Sequence, residues 1–301
     1  DSIIALSEKY GTNIPFNLIP QNLIDWPGFG NPNNGLVGNR NLAPFQDVDA
    51  NGYYDPTGGD YPIIDDAPIC GKDKVTYADQ MIWWVYNDKG NIHSETGATA
   101  IGMEVQALAF GFKTNDEVND MTFYKYRLLN KATSPIDSVF MGQWIDPDLG
   151  CAFDDYIACD LETGMGIVYN SSGVDGGSGC VLDYGNQPPF LGVDYFQGPL
   201  DEDGNELGLS SFLYYNNDFS QLGNPENASD YYGYLSGTWK DGTPFTSGGD
   251  AYGGSVPTNY VFPGDPSDAA GWSECTENNQ SADRRIIQAS GPFRLEPGAK
   301  N

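Results

Sequence analysis

Between Lys131 and Lys240 the chain carries no Lys or Arg, yet 17 Asp and Glu fall in that interval. Local ion pairs cannot neutralise such a segment. Its carboxylates must either face water and salt or be bridged by a cation. The imbalance extends to the whole chain of 301 residues, where 14 basic side chains stand against 42 acidic ones, a formal charge of −28. Such a surface repels nucleic acid and anionic membranes. Dispersed acidity also suits a saline surrounding, so net charge alone selects no site.

The elements that must hold these acids are short. QMIWWVYN at 80–87 reads as a strand covered on both faces. GMEVQALAFGF at 102–112 alternates apolar residues, TFYKYRLL at 122–129 follows, and residues 138–145 make a fourth strand. Later come the aromatic pieces GIVYN at 166–170 and SFLYY at 211–215, then a returning strand from Arg284 to Leu295. With 38 Gly and 20 Pro marking turns, and no sustained helical period, the expected fold is mainly β. An antiparallel β-sandwich, the jelly roll among its forms, with long acidic, glycine-rich loops fits this pattern. The expected organisation is one large β-rich domain over 1–301. It begins with an irregular segment at 1–46, anchored by Trp26 and Phe29, and carries loop insertions over 146–272. The ending PGAKN has no obvious terminus, and the expectation is that the sequence is a piece of a longer protein.

Two acidic clusters have the composition of cation sites. In DVDANGYYDPTGGDYP (47–62), Asp47, Asp49, Asn51, the Tyr53 carbonyl and Asp55 occupy positions one, three, five, seven and nine of a calcium-loop pattern. Gly52 sits at the sharp turn. The twelfth position is Gly58 rather than a bidentate Glu, and Asp60 can supply the missing carboxylate. The competing explanation is a string of Asx-turns. The second cluster follows the fourth strand: Asp146, Asp148, Asp154, Asp155 and Asp160 surround Cys151 and Cys159. A shorter run, Asp201, Asp203, Asn205 and Glu206, is more turn-like. Oxygen-only donors of this kind point to Ca²⁺.

Five cysteines stand at 70, 151, 159, 180 and 275. Cys151 with Cys159 would close a short loop and Cys180 with Cys275 would join distant strands, but spacing does not fix connectivity, and one thiol is left over. Asn170, Asn227 and Asn279 match the glycan acceptor pattern. No apolar run is long enough to span a membrane, no stretch of the sequence reads as a signal peptide, and a start at Asp1 without Met fits a processed secreted protein or an excised fragment. The lone His93 has no nucleophile beside it and rules out a multi-histidine zinc site. GxSxG, HExxH and phosphate-loop motifs are missing. A paired-carboxylate glycosidase remains open in principle, but acids and aromatics are too abundant here to single out a pair.

Several pieces together resemble segments of very large, multidomain secreted or surface proteins of Bacteroidota, often associated with type IX secretion. They are the 47–62 run, WVYND at 84–88, HSE at 93–95, GMEVQ at 102–106, FYKY at 123–126 and GQWIDPDLG at 142–150, with Asp154, Asp155, Cys159 and Asp160. YG at 184–185, PP at 188–189 and SGPF at 290–293 extend the likeness. The resemblance implies export and an extracellular β-rich module, and brings no catalytic residue. The expectation is therefore an extracellular, calcium-stabilised structural or adhesion module of a cell-surface or secreted assembly protein, with catalysis left open. Its partners would be other surface proteins, extracellular glycans or further copies of itself, with no nucleic acid and no membrane insertion. The alternatives are a secreted carbohydrate-active hydrolase and a non-catalytic carbohydrate-binding module.

Overall fold

The computed structural model describes residues 2–28, 42–64 and 78–301. Phe29 and Cys70 lie outside the described residues. The chain is mainly β, and every pair of named strands is antiparallel. It divides into two compact units, residues 1–88 with 102–131, and residues 89–101 with 132–299.

The first unit opens with two helices, α1 (Ser2–Tyr10) and α2 (Gln21–Ile24), in the segment expected to be irregular. Ile3, Ile14, Ile19 and Ile24 form one buried cluster with Leu6 and Tyr10. Gly11 ends α1 at φ +65°, with its N–H on the Ser7 carbonyl. A left-handed residue at that place is the usual glycine stop. Nine residues are too few to display a helical period, which is why the sequence pattern missed it.

Two short strands, β1 (Phe45–Gln46) and β2 (Tyr61–Pro62), close the 47–60 loop by pairing Phe45 with Pro62 and Gln46 with Tyr61. A three-stranded sheet follows, in the order β3 (Gln80–Asn87), β4 (Met103–Gly111), β5 (Phe123–Asn130). Its inner face packs Met81, Trp83 and Phe110 against Trp26, Tyr54 and Leu108. Side chains on the other face are partly exposed, which corrects the two-sided reading of 80–87: Ile82 is 56% exposed and Tyr86 51%. A continuous apolar run suggests two-sided burial, but Trp and Tyr tolerate one wet side.

The second unit is the sandwich. One sheet has the order β10 (Ser211–Asn216), β11 (Arg284–Leu295), β6 (Ile136–Ile145), and the other the order β7 (Asp155–Asp160), β8 (Met165–Asn170), β9 (Phe190–Val193). Ile157, Cys159 and Val168 of the second sheet share a core with Phe212, Leu213, Tyr214 and Ile286 of the first. Gly166 is a point of close approach. A Cβ there would fall 2.9 Å from Gln288 Oε1 and from the Phe212 ring, and the Gly166 N–H donates to that same Gln288 oxygen.

A third helix, α3 (Ala228–Ser236), packs near β6, β10 and β11. Asn227 caps it by accepting from the Ser229 and Asp230 N–H groups, and Gly237 stops it at φ +94°. Its sequence, ASDYYGYLS, is aromatic enough to pass for a strand. The cap also means that one glycan-acceptor asparagine is engaged in structure. Asn170, another, is buried within β8.

Candidate cation sites

The acids of the basic-free segment are accommodated in three ways. Some meet arginines and a lysine that arrive from later in the chain: Asp137 pairs with Arg294, Asp146 with Arg285, and Glu226 with Lys240. Others turn back on their own backbone. Asp160 accepts from the Glu162 N–H and the Thr163 hydroxyl, and Asp201 from the Asp203 and Asn205 N–H groups. Those bonds hold the carboxyls of both below the usual range. A third set is buried with no salt bridge to a cationic side chain among the described residues.

The 47–60 loop shows the curl that its spacing predicts. Asp47 accepts from the Asn51 and Gly52 N–H groups, Asp49 from the Asn51 N–H and side-chain amide, and Asn51 from the Tyr53 N–H. Ala50 and Gly52 both take positive φ, which lets successive N–H groups point inward. These are Asx-turns, so that account of the motif is correct as far as it goes. Yet the turns also converge three acids. Asp47, Asp49 and Asp60 each place a carboxylate oxygen within 4.8 Å of the others, a group that can hold a metal ion. Gly58, at the place of the missing glutamate, is needed for that convergence, since a Cβ there would lie 2.9 Å from Asp49 Oδ2.

Asp60 is fully buried and accepts from the Val48 and Asp55 N–H groups at 2.8 Å each. Burial pushes its carboxyl up to about 6, and the Asp47 and Asp49 charges add to the rise, against the pull of the two N–H bonds. Asp55 stands outside the group and bonds the Thr57 N–H and hydroxyl instead. The Tyr53 ring is half exposed.

The second cluster splits. Asp146 and Asp148 group with Asp283, but Arg285 bonds both Asp146 and Asp283 at 3.0 and 2.8 Å, so a guanidinium already supplies the positive charge. Asp160 lies apart, at the end of β7, opposite Met165. Asp154 groups with Asp175, which the sequence reading did not select because it stands 21 residues downstream in a glycine-rich stretch. Asp155, at 1% exposure, opens β7, and its Oδ2 accepts from the Leu149 N–H at 3.2 Å. Burial pushes its carboxyl up to about 7, with the Asp154, Asp175 and Asp148 charges adding to that. Two ionised carboxylates some 5 Å apart repel by about 3 kcal/mol at an effective dielectric of ~20.

The disulfide beside them differs from both pairings considered from spacing. Cys151 bonds Cys180, with Cα atoms 5.1 Å apart, while Cys159 is an unbonded buried thiol inside β7 and Cys275 is exposed and unbonded. The reason is geometric. A residue inside a paired strand cannot fold back onto the loop just before it, whereas the 175–185 arm, closed on itself by the Asp175–Gly185 bridge, meets that loop where the Cys151 N–H donates to Asp175. With its sulfur in a disulfide, Cys151 is no metal ligand, and the donors there are carboxylates.

In the first unit a small open pocket has Pro44, Ile64, Trp83, Gln106, Ala107, Leu108, Lys125 and Arg127 among its described lining residues. Comparison of the chain with family models, with curated proteins and with solved structures returns no match.

Proposed function

We propose that the chain is an extracellular, calcium-stabilised structural or adhesion module of a cell-surface or secreted assembly, the setting implied by its resemblance to Bacteroidota surface proteins. The observation that carries the reading is the convergence of Asp47, Asp49 and buried Asp60 around a curled loop. Calcium tolerates such irregular oxygen cages and commonly completes its shell with carbonyls and water. Its role here is mechanical: it cancels the mutual repulsion of the three acids and holds the β1–β2 loop in one geometry.

The test is a calcium titration of the EDTA-stripped protein by calorimetry, with thermal unfolding in parallel. Saturable binding is expected, with stabilisation of about 2.7 kcal/mol at a calcium concentration 100 times Kd. Asp49 is exposed and its hydrogen bonds are all to Asn51. Asp49→Ala should therefore weaken this binding at least tenfold without unfolding the core. Unchanged affinity and loop order in Asp49→Ala would remove the assignment.

One observation favours a second role, carbohydrate binding without catalysis. The outer face of the β3–β4–β5 sheet aligns Ile82, Trp84 and Tyr86 on one strand with Tyr124 and Tyr126 across the small residues Ala109 and Ala107. Tyr124 is 60% exposed. Exposed planar rings suit the apolar faces of sugars. Quenching of tryptophan fluorescence by neutral oligosaccharides, lost in Tyr124→Ala with Tyr126→Ala, would support that role.

A further inference from the structure

We propose that the sandwich unit carries a subsite for a neutral sugar ring, with Trp144 as its platform and Tyr215, Arg285, Asp146 and Glu95 as its polar rim. It depends neither on the 47–60 loop nor on the β3–β4–β5 face. Strand register brings the residues together. On β6 Trp144 lies opposite Ile287 of β11. Asp146, just past the end of β6, meets Arg285, which lies opposite Tyr215 of β10. Residues two apart on a strand share a face, so these side chains point the same way. Helix α3 covers the middle of that face, where a Cβ on Gly142 would lie 2.3 Å from the Leu235 side chain. Trp144, past that contact and on an edge strand, stays 55% exposed.

An exposed indole says little by itself, but this one is held. Its Nε1–H donates to the hydroxyl of Tyr215, a side chain only 5% exposed. The ring therefore keeps its orientation while over half of its surface meets water, and a fixed platform stacks on the C–H face of a sugar at low entropic cost. The Tyr215 hydroxyl gives a second, independent sign. It accepts from Trp144, yet among the described residues nothing accepts its own proton. A buried donor calls for an acceptor, and a hydroxyl of a ligand laid over Trp144 supplies one. Burial raises the Tyr215 pKa, and the Asp146 and Glu95 charges add to the rise against Trp144 and Arg285. The group stays protonated as a donor, with both carboxylates near it.

The rim is also set in advance. Arg285 bonds Asp146 at 3.0 Å and Asp283 at 2.8 Å, and Glu95 accepts from the Tyr231 hydroxyl at 2.8 Å. Fixed donors and acceptors beside one apolar plate suit a ring of hydroxyls, each of which can donate and accept. An anionic ligand would meet Asp146, Glu95 and the field of a chain at −28. A cationic one would meet Arg285. A neutral sugar meets neither obstacle.

The full chain is titrated with neutral oligosaccharides of glucose, mannose and xylose, and with an oligogalacturonate as the acidic control, by tryptophan fluorescence and saturation-transfer NMR. At least one neutral series should bind, and the acidic control should not. Trp144→Ala should weaken that binding about tenfold. Tyr215→Phe, which removes one oxygen and the anchor of the indole, should weaken it about fivefold. Tyr124→Ala with Tyr126→Ala should leave it unchanged. If Trp144→Ala fails to fold, Tyr215→Phe decides, since it keeps the buried ring. A folded Trp144→Ala protein with unchanged affinity, or a wild type that binds none of the neutral series, would overturn the proposal. Loss of binding in the Tyr124, Tyr126 double variant alone would overturn it too, and would assign sugar binding to the first unit.

Discussion

Replacing Arg284 with alanine is expected to destabilise the sandwich unit by about 3–5 kcal/mol, the cost of leaving a buried charge without its partner. Arg284 is 4% exposed, and its Nη2 lies 2.5 Å from Oε2 of Glu274, which is fully buried. The same guanidinium bonds the Gln280 carbonyl at 2.8 Å and the Asn216 side chain, and stacks 4.6 Å from the centre of the Tyr214 ring. Glu274 in turn accepts from the Ile157 N–H at 2.9 Å. One ion pair thus connects β7, β10 and β11. Burial pushes the Glu274 carboxyl up to about 7, while Arg284 pulls it down. Removing Arg284 removes that pull, so Arg284→Ala should unfold more readily above pH 7 than below it. The double variant Arg284→Met, Glu274→Leu should recover most of the loss, because replacing both charges with apolar groups of similar size is often neutral. Urea unfolding at pH 8 measures all three proteins. A loss under 1 kcal/mol in Arg284→Ala would show that the pair contributes only packing.

The metal-free protein should lose stability as pH rises from about 4 to 7, against the usual trend for an acidic protein. Asp155 and Asp60 have folded pKa values of about 7 and about 6, above the ordinary carboxyl value. Between the unfolded and folded values the native state binds more protons than the unfolded chain, so unfolding becomes easier as pH increases. The contribution is fully present below pH 4 and gone above 7. For Asp155 the rise of about three pKa units corresponds to roughly 4 kcal/mol. Glu274 acts in the same direction. Calcium should reverse the slope, because a ligating carboxylate must be ionised, and binding near pH 6 should release protons. Melting curves from pH 4 to 8, with EDTA and with calcium, test both halves. A metal-free protein whose stability climbs through this window would show that these carboxyls are ionised without a cation.

Much of the fold was readable from the sequence. The strands at 80–87, 102–112, 122–129 and 138–145, and the return at 284–295, each coincide with an observed strand to within two residues. Alternation and β-branched content survive whatever the tertiary context. What could not be read was which surfaces meet. The face of 80–87 that stays open depends on packing partners drawn from residues 26, 54 and 108. Of the acids, Asp47, Asp49 and Asp60 were legible as a group because they share one loop. Asp175 was not, because only the return of the 175–185 arm brings it to Asp154. A glycine at 150 followed at once by a cysteine was the available signal, though nothing local says which distant carboxylate that glycine makes room for.

A thiol sealed inside β7 also dictates the order of events as the chain matures. Cys159 is fully buried and donates weakly to the Val261 carbonyl, and burial, with the Asp160 charge, pushes its pKa well above the usual thiol range. A thiol that does not ionise does not attack a disulfide. Before β7 pairs with β8, however, Cys159 is accessible and only eight positions from Cys151, whereas Cys180 is 29 away. The shorter ring closes at lower entropic cost. Oxidation that outruns strand pairing therefore yields the wrong isomer, and oxidation that follows it yields one product. Zipping of the β7–β8 hairpin is the checkpoint that separates the two outcomes.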